Sequence, residues 1–574
     1  MVGSHKGQAT YWVAIGAFLA VTAAATISIF FYDRFWYAPD DGAYAHVAGR
    51  MMQGEVLNDD VQDVHAGYVN FVNAGAMAIF GVDFRSLRIP LAVLNVLQAL
   101  IVFLVLRRGG IWLALAGSLA VSSLSFVQFL NPTAHWYCLF LVLLIPVIVS
   151  RFPEQDWRRL ILLGLLVGTI AMFRQLTGVI VAIAVFGWLM MERSAPGAPR
   201  YWMPRAVMLG LALLIGWYVF THADPASAAI FGLWPVALLL IAGWQTSVST
   251  RECLHMIGYL SLGAALACLP LLAYHIAHGS LATWFSDTVL AAFRIPQLAF
   301  IDAHSFTSFG VLVVPQLGEW RNPAAMLNAL FWLTLILLPL VNGVTILRRL
   351  QSGPVTGAAG VLLWCACFYS LVAVHYQIPI YLFYVSGLNA AALAALAISA
   401  RPFPRAMVSA TLVGVSAIAL YFHAGQSLMR GLQGTMRGER GAEVVACNLP
   451  HCSLRLEPRD ANIYRELVKR IQAHSVPGDC ILALPSNAEL YFITERCNPT
   501  RFFNSALGLL SEEDVEALLK QLESRPPAML IYQPEDKYNS QRTKQVMMQL
   551  RTFYANHERI ESFELYWGPI KQEQ

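Results

Sequence analysis

Charge is what this sequence lacks. Only 13% of its 574 residues are Asp, Glu, Lys or Arg while 57% are hydrophobic, against roughly 25% charged and about 45–50% apolar in soluble domains. A single water-soluble globule is excluded. The net charge of +4 is small for this length, so there is no basic surplus to hold nucleic acid and none is expected as a partner. No glycine-rich phosphate loop occurs, which removes the usual signature of a nucleotide cofactor. Internal repeats and low-complexity segments are also missing. The first apolar run, Tyr11 to Phe31, is followed by Tyr32, Asp33 and Arg34 with no small-residue cleavage pattern. It is too long for a signal-peptide core and reads as a retained first helix.

What is present is a series of apolar runs, each about 18 to 22 residues, the length that crosses about 30 Å of hydrocarbon as a helix. Taken in order, from Tyr11–Phe31 to Ala406–His423, they predict about thirteen crossings. With the N-terminus cytoplasmic, the loops assigned inside hold Arg107 and Arg108, then Arg151, Arg158 and Arg159, then Arg193, Arg200 and Arg205, and later Arg251, Arg348, Arg349, Arg401 and Arg405. That is the positive-inside bias of a multi-pass inner or plasma membrane protein. The opposite side receives two long loops, 33–88 and 277–322, and everything after His423. The expected organisation is a transmembrane module over 1–425 and an extracytoplasmic soluble unit over 426–574.

Cysteine usage is consistent with export of that unit. Five of the nine cysteines, Cys138, Cys253, Cys268, Cys365 and Cys367, lie in or beside apolar runs, where a thiol is a small hydrophobe. The other four, Cys447, Cys452, Cys480 and Cys497, are in the tail and form an even set in an oxidising compartment. Two disulfides are predicted; the alternatives are free thiols or a metal site, although Cys447 and Cys452 with His451 match no standard zinc spacing. Within the tail, Tyr464 to His474 and Glu512 to Ser524 read as helices, Cys480 to Leu484 and Ala528 to Tyr532 as strands. Such alternation suggests a small α/β domain with a parallel sheet.

Acids concentrate in the first external loop. Ala38-Pro39-Asp40-Asp41-Gly42 opens an amphipathic segment with Tyr44, Val47, Ala48, Met51 and Met52 at helical spacing, stopped by Gly54. Asp40 and Asp41 could simply cap that helix and complement its dipole. A second acidic cluster, Asn58 to His65 with Asp59, Asp60 and Asp63, precedes another apolar segment, Phe71 to Phe80, that ends at Gly81. Asp63 and His65 are also candidate ligands of a divalent metal ion, with His275 as a more distant third.

The stretch PDDGAYAHVAGRMMQGEVLNDDVQDVHAGYVNFVNAGAMAIFGVDFRSLRIPLAVLN resembles the first external loop of the GT-C glycosyltransferases, notably the protein O-mannosyltransferase and aminoarabinose transferase group. That group has an acidic pair followed by a tyrosine, a surface helix, a polar turn, and a glycine before the arginine-proline start of the second helix. FRQLTG (Phe173 to Gly178) and LYFITERCNPTRFF (Leu490 to Phe503) are similar to further segments of the group. The resemblance implies an inverting enzyme that takes a sugar from a polyprenyl-phosphate donor in the external leaflet and passes it to a hydroxyl of a glycan, glycolipid or protein acceptor. It implies Asp40 as the base and Asp41, where the group usually has glutamate, in support. The chain departs from the group after Asp63, with Val64, His65 and Ala66 where a lysine and prolines often stand. His65 there has three open roles: a phosphate contact, a metal ligand with Asp63, or a turn residue.

For the leaving phosphate the candidates are Arg174, His65 and Arg294. Arg174 lies at an external helix end beside Gln175 with no acid nearby in sequence. A guanidinium so close to hydrocarbon either snorkels to the headgroups or meets a phosphate. His135 stands where relatives often place another acid, and His278 and Arg321 are loop residues of the same external side. Tyr376, Tyr381 and Tyr384 read as an aromatic belt or bundle residues. Two other classes compete, a transporter or lipid flippase and a noncatalytic scaffold. A transporter gathers its polar residues near the bilayer midplane, whereas here the acids lie in external loops.

Overall fold

A computed structural model describes residues 2–195, 197–291, 306–350, 356–398, 400–425 and 443–569. The chain starts with α1 (Val2–Phe31), then α2 (Ala38–Met52), α3 (Tyr68–Phe80), α4 (Phe84–Leu106), α5 (Ile111–Ser123), α6 (Ala134–Arg151), α7 (Trp157–Phe173) and α8 (Gln175–Glu192). Long helices follow at Trp202–His222, Leu233–Gln245, Thr250–Ala277, Pro323–Leu350, Gly357–Tyr369, Pro379–Ala397 and Pro402–Phe422. Among the described residues twelve helical spans are long and apolar enough to cross a membrane. The protein is a polytopic helical membrane protein with a C-terminal α/β unit.

The remaining expected crossing is α7, whose 17 residues extend about 25 Å at 1.5 Å per residue, the short end of the spanning range. Small residues hold it close to Thr250–Ala277. A Cβ on Gly168 would sit 2.7 Å from the Ala264 Cα, and one on Gly263 would sit 2.7 Å from the Leu165 nitrogen. Such seams let helix backbones touch where no hydrophobic driving force operates.

Local chemistry fixes the elements of the loop between α1 and α4. Pro39 sits in the first turn of α2, where its fixed φ suits the helix and its missing N–H costs nothing. Gly54 and Gly81 both take φ +94° after α2 and α3, a left-handed stop that glycine adopts without strain. Asp83 caps α4 by accepting from the Arg85 N–H at 2.8 Å.

In the tail, β1 (Val445–Ala446) pairs antiparallel with β2 (Arg455–Leu456). A four-stranded sheet has the order β3-β4-β6-β5, with β3 (Ile481–Leu484), β4 (Met529–Tyr532), β5 (Tyr554–Ile560) and β6 (Phe563–Pro569). Only β3 and β4 are parallel; β6 and β5 add antiparallel, so the parallel sheet expected from sequence is a mixed one. That hairpin escapes a sequence reading because its turn, Glu561-Ser562, puts a glutamate at φ +52° in place of the usual Asn-Gly or Asp-Gly signal. Both expected disulfides are present, Cys447–Cys452 and Cys480–Cys497.

The tail is not held by its connection alone. One apolar core runs from the helix bundle into it: Trp36 packs edge-on to Tyr464 with centroids 4.7 Å apart, and Phe84 meets Phe492 at 4.8 Å. The connecting residues 426–442, where the expected domain boundary falls, lie outside the described ones. Instead of lying openly on the membrane surface, α2 is covered by Ala488–Thr494 of the tail, and a Cβ on Gly42 would be 2.7 Å from the Glu489 Cα. Gly42→Ala is therefore a sharp test. Helix propensity alone predicts a gain of about 1 kcal/mol, whereas the close approach predicts a net loss of about 1–3 kcal/mol. Thermal unfolding in detergent, with protease sensitivity of the tail as a second readout, distinguishes the two.

Candidate active site

The adjacent acids at the start of α2 have different surroundings. Asp41 is fully buried, accepts from the Tyr37 N–H at 2.9 Å and forms a 2.9 Å ion pair with Arg88. Arg88, also fully buried, donates in addition to the carbonyls of Tyr32 (3.2 Å) and Arg34 (2.9 Å). No side chain caps the first turn of α2; Asp41 instead bonds back to Tyr37 at the cap position, and its lone pairs are committed to holding the loop. Asp40 is half-buried and accepts one hydrogen bond from the described residues, from Asn131 Nδ2 at 3.0 Å to Oδ2. Its Oδ1 remains available. Burial pushes the Asp40 carboxyl up; Asp41 adds to this, while Lys537, His65 and the Asn131 bond oppose it, leaving a pKa of about 6. Such a carboxylate is ionised at neutral pH yet more basic than an ordinary one, which suits a general base.

A relay borders the acid. His65 Nδ1 lies 2.8 Å from Asp63 Oδ1, and its Nε2 lies 3.4 Å from the Tyr44 hydroxyl, which donates to Thr133 Oγ1 at 3.3 Å. Burial would raise the Asp63 pKa, but His65 and the Asn70 bond outweigh it and hold the group below the usual carboxylate range. Asp63 also accepts from the His65 N–H (3.1 Å) and Asn70 Nδ2 (2.5 Å), so little of it is left for a metal. His275 instead bonds Ser280 at 2.8 Å and stacks on Trp284. Among the described residues no three His, Cys, Asp or Glu side chains are grouped to hold a metal ion, and the donor set Asp63, His65, His275 does not fit one.

Arg174 occupies an extended one-residue break, φ −154° and ψ 108°, between α7 and α8. Its Nη2 donates to the Tyr381 hydroxyl at a long 3.4 Å, and its Nε has no hydrogen-bond partner among the described residues. A guanidinium carries five N–H donors. Most are unspent. Gln175 fixes the break by donating to the carbonyls of Val64 and Thr288, both at 3.2 Å, which ties Arg174 to the acidic loop. The charges of Asp40 and Arg174 both reach Tyr44, Tyr381 and Tyr384, and His135 stacks on Tyr384 at 3.7 Å with its Nδ1 unpartnered. Tyr381 and Tyr384 are buried in the helix bundle and are not an outer belt.

Three strands of the sequence converge at Asp287, which is buried and accepts from Asn58 (3.2 Å), Gln62 (3.2 Å) and Arg501 of the tail (2.5 Å). Arg294 lies outside the described residues. Sequence reading assigned no partner to Arg88, Gln175 or Asn131 and passed over Lys537 of the tail. Only Arg88, an arginine at the start of an apolar run, carried a usable signal, since a charge there needs a partner.

No family model matches the sequence, and no curated protein matches it in a sequence search. Several solved structures resemble its chain course, among them the following two. ArnT from Cupriavidus metallidurans bound to undecaprenyl phosphate is 12% identical, with 98% of each chain covered and a TM-score of 0.37. The Archaeoglobus fulgidus oligosaccharyltransferase in complex with Zn and sulfate is 11% identical, covering 94% of this chain and 71% of that one, with a TM-score of 0.42. At these scores the likeness carries no argument about chemistry.

Proposed function

We propose that the chain is a GT-C-type membrane glycosyltransferase that moves a sugar from a polyprenyl-phosphate donor to a hydroxyl of a glycan, glycolipid or protein. The observation that carries this reading is a carboxylate with a free oxygen, Asp40, held by Asn131 just before α6, whose His135 packs on Tyr381 and Tyr384, beside an arginine, Arg174, that spends one donor on Tyr381 and leaves its Nε without a partner among the described residues. Asp40 takes the acceptor's proton as the hydroxyl oxygen attacks the anomeric carbon from the face opposite the phosphate. The bond to phosphate breaks with inversion, and Arg174 stabilises the charge that the departing phosphate gains. His65, oriented by Asp63, supports the phosphate side through Tyr44. No step needs a metal. The basic loops support a topology with the N-terminus in the cytoplasm and with α2, α3 and the tail, residues 426–574, on the external face of the inner or plasma membrane.

Arg174 provides the test. Undecaprenyl phosphate, the lipid in the Cupriavidus structure, serves as the probe. Losing a charge-assisted contact costs about 1.5–3 kcal/mol, so Arg174→Gln should bind it roughly 10- to 100-fold more weakly in detergent, with folding unchanged. Wild-type affinity in the variant would make Arg174 a headgroup anchor and remove the phosphate assignment.

A further inference from the structure

Asp287 sits in the short helical turns Leu281–Phe285 and Ser286–Leu290, and both of its oxygens are engaged by donors. Oδ1 accepts from Gln62 Nε2 and Oδ2 from Asn58 Nδ2, each at 3.2 Å, and Oδ2 also pairs with the guanidinium of Arg501 in the tail. Arg501 grips the same loop on its own account. It donates to the Asn58 carbonyl at 3.1 Å, and its backbone carbonyl accepts the Gln62 N–H at 2.7 Å. Asn58 carries the link inward, because the same Nδ2 donates at 2.7 Å to the carbonyl of Asp63, the residue that orients His65. Asp287 is buried, at 6% exposed, and a carboxylate so far from water needs a cation. Arg501 is its ion-pair partner.

The next residue, Thr288, presents its carbonyl to Gln175 Nε2 at 3.2 Å, and the same nitrogen donates to the Val64 carbonyl, also at 3.2 Å. Gln175 thus spans two segments, the acidic loop and the turns over 281–290, and reaches both carbonyls only while those segments keep one spacing. Asp287 sets that spacing. It holds Asn58 and Gln62 on one side and adjoins Thr288 on the other, and Trp284 adds a second tie by donating from Nε1 to the Ala66 carbonyl at 2.7 Å. We propose that Asp287, paired with Arg501 of the tail, is a positioning residue for Arg174: by spacing the two carbonyls that Gln175 grips, it fixes the extended break from which Arg174 meets the donor phosphate. The inference rests on the reading of Arg174 as the phosphate contact. It makes the tail, through Arg501, part of what shapes the donor site.

The test follows two amides that flank the break. The Arg174 N–H donates to the Ile170 carbonyl at 2.7 Å and the Gly178 N–H to the Arg174 carbonyl at 3.0 Å, so their hydrogen exchange in the full-length protein in detergent reports whether the break keeps its shape. In Asp287→Asn the side chain has one acceptor oxygen for three donors and turns an NH2 group toward one of them. Exchange over Phe173 to Gly178 should rise about tenfold, the scale of one lost hydrogen bond to a charged group, while the distant helix Pro402–Phe422 exchanges as in wild type. Arg501→Gln, a change at an exposed side chain, should give the same local rise, and Arg501→Lys should reverse most of it. Asp287→Asn should also bind undecaprenyl phosphate about tenfold more weakly and neutral undecaprenol unchanged, and should cost nothing further in an Arg174→Gln protein. Wild-type exchange over Phe173 to Gly178, an equal rise in Pro402–Phe422, or additive losses in the double variant overturns the inference. Wild-type phosphate binding by Arg174→Gln alone would instead defeat the phosphate reading, and the exchange comparison would still decide whether Asp287 holds the break.

Discussion

Asp40→Asn should insert, fold and bind donor as the wild type does, and transfer sugar about 100-fold more slowly or worse, the usual scale for loss of a general base. Asparagine keeps the size and can still meet Asn131 by turning its amide, so the change removes proton-accepting power and little else. A capping role predicts otherwise, because asparagine caps almost as well as aspartate; but Asp40 accepts no backbone N–H of the first turn, its one partner among the described residues being Asn131. The wild-type rate should also follow the ionised fraction of Asp40. Its carboxyl is displaced upward to about 6, so activity is full above that pH and falls about tenfold per unit below it. Asp40→Asn should show no such limb in its residual rate. Turnover at matched expression, measured across pH, reads both effects.

Arg88→Met should destabilise the protein by about 3–5 kcal/mol, the cost of leaving a buried charge without its partner. The methionine fills much of the space, so the loss is electrostatic in origin. Asp41 would keep the Tyr37 N–H but lose its counter-ion, and the carbonyls of Tyr32 and Arg34 would lose the donor that now gathers them. Arg88→Met combined with Asp41→Asn should recover part of the stability, because a neutral amide needs no cation. Thermal unfolding of the single and double variants in detergent decides it; a double variant no more stable than Arg88→Met would show that packing, not charge, is what the arginine provides.

The helices were legible because a bilayer imposes a length and an apolar composition that composition alone reveals. The stops of α2 and α3 were legible because Gly54 and Gly81 sit at left-handed positions that glycine fills, and the disulfides because four cysteines lay together in the tail, apart from the apolar runs. Asp40, Asp63, His65 and Arg174, singled out as separate short signals, lie around one cluster. What sequence could not give was which groups they face. Asp40 and Asp41 are indistinguishable as letters, and only the buried Arg88 beneath one of them separates their roles. Lys537 lies almost 500 positions from Asp40, and no local pattern joins a turn after a strand to the head of a distant helix. His275 is likewise not grouped with Asp63 and His65 among the described residues, its Nδ1 being bonded to Ser280.

The most direct measurement incubates the purified protein with a panel of polyprenyl-phosphate sugars and an envelope extract as acceptor, and follows release of free polyprenyl phosphate together with sugar incorporation. The account predicts that at least one donor is consumed, that phosphate release and sugar incorporation are equal in amount, and that both collapse in Asp40→Asn. Consumption of no donor, or equal turnover by the Asp40→Asn protein, would contradict it.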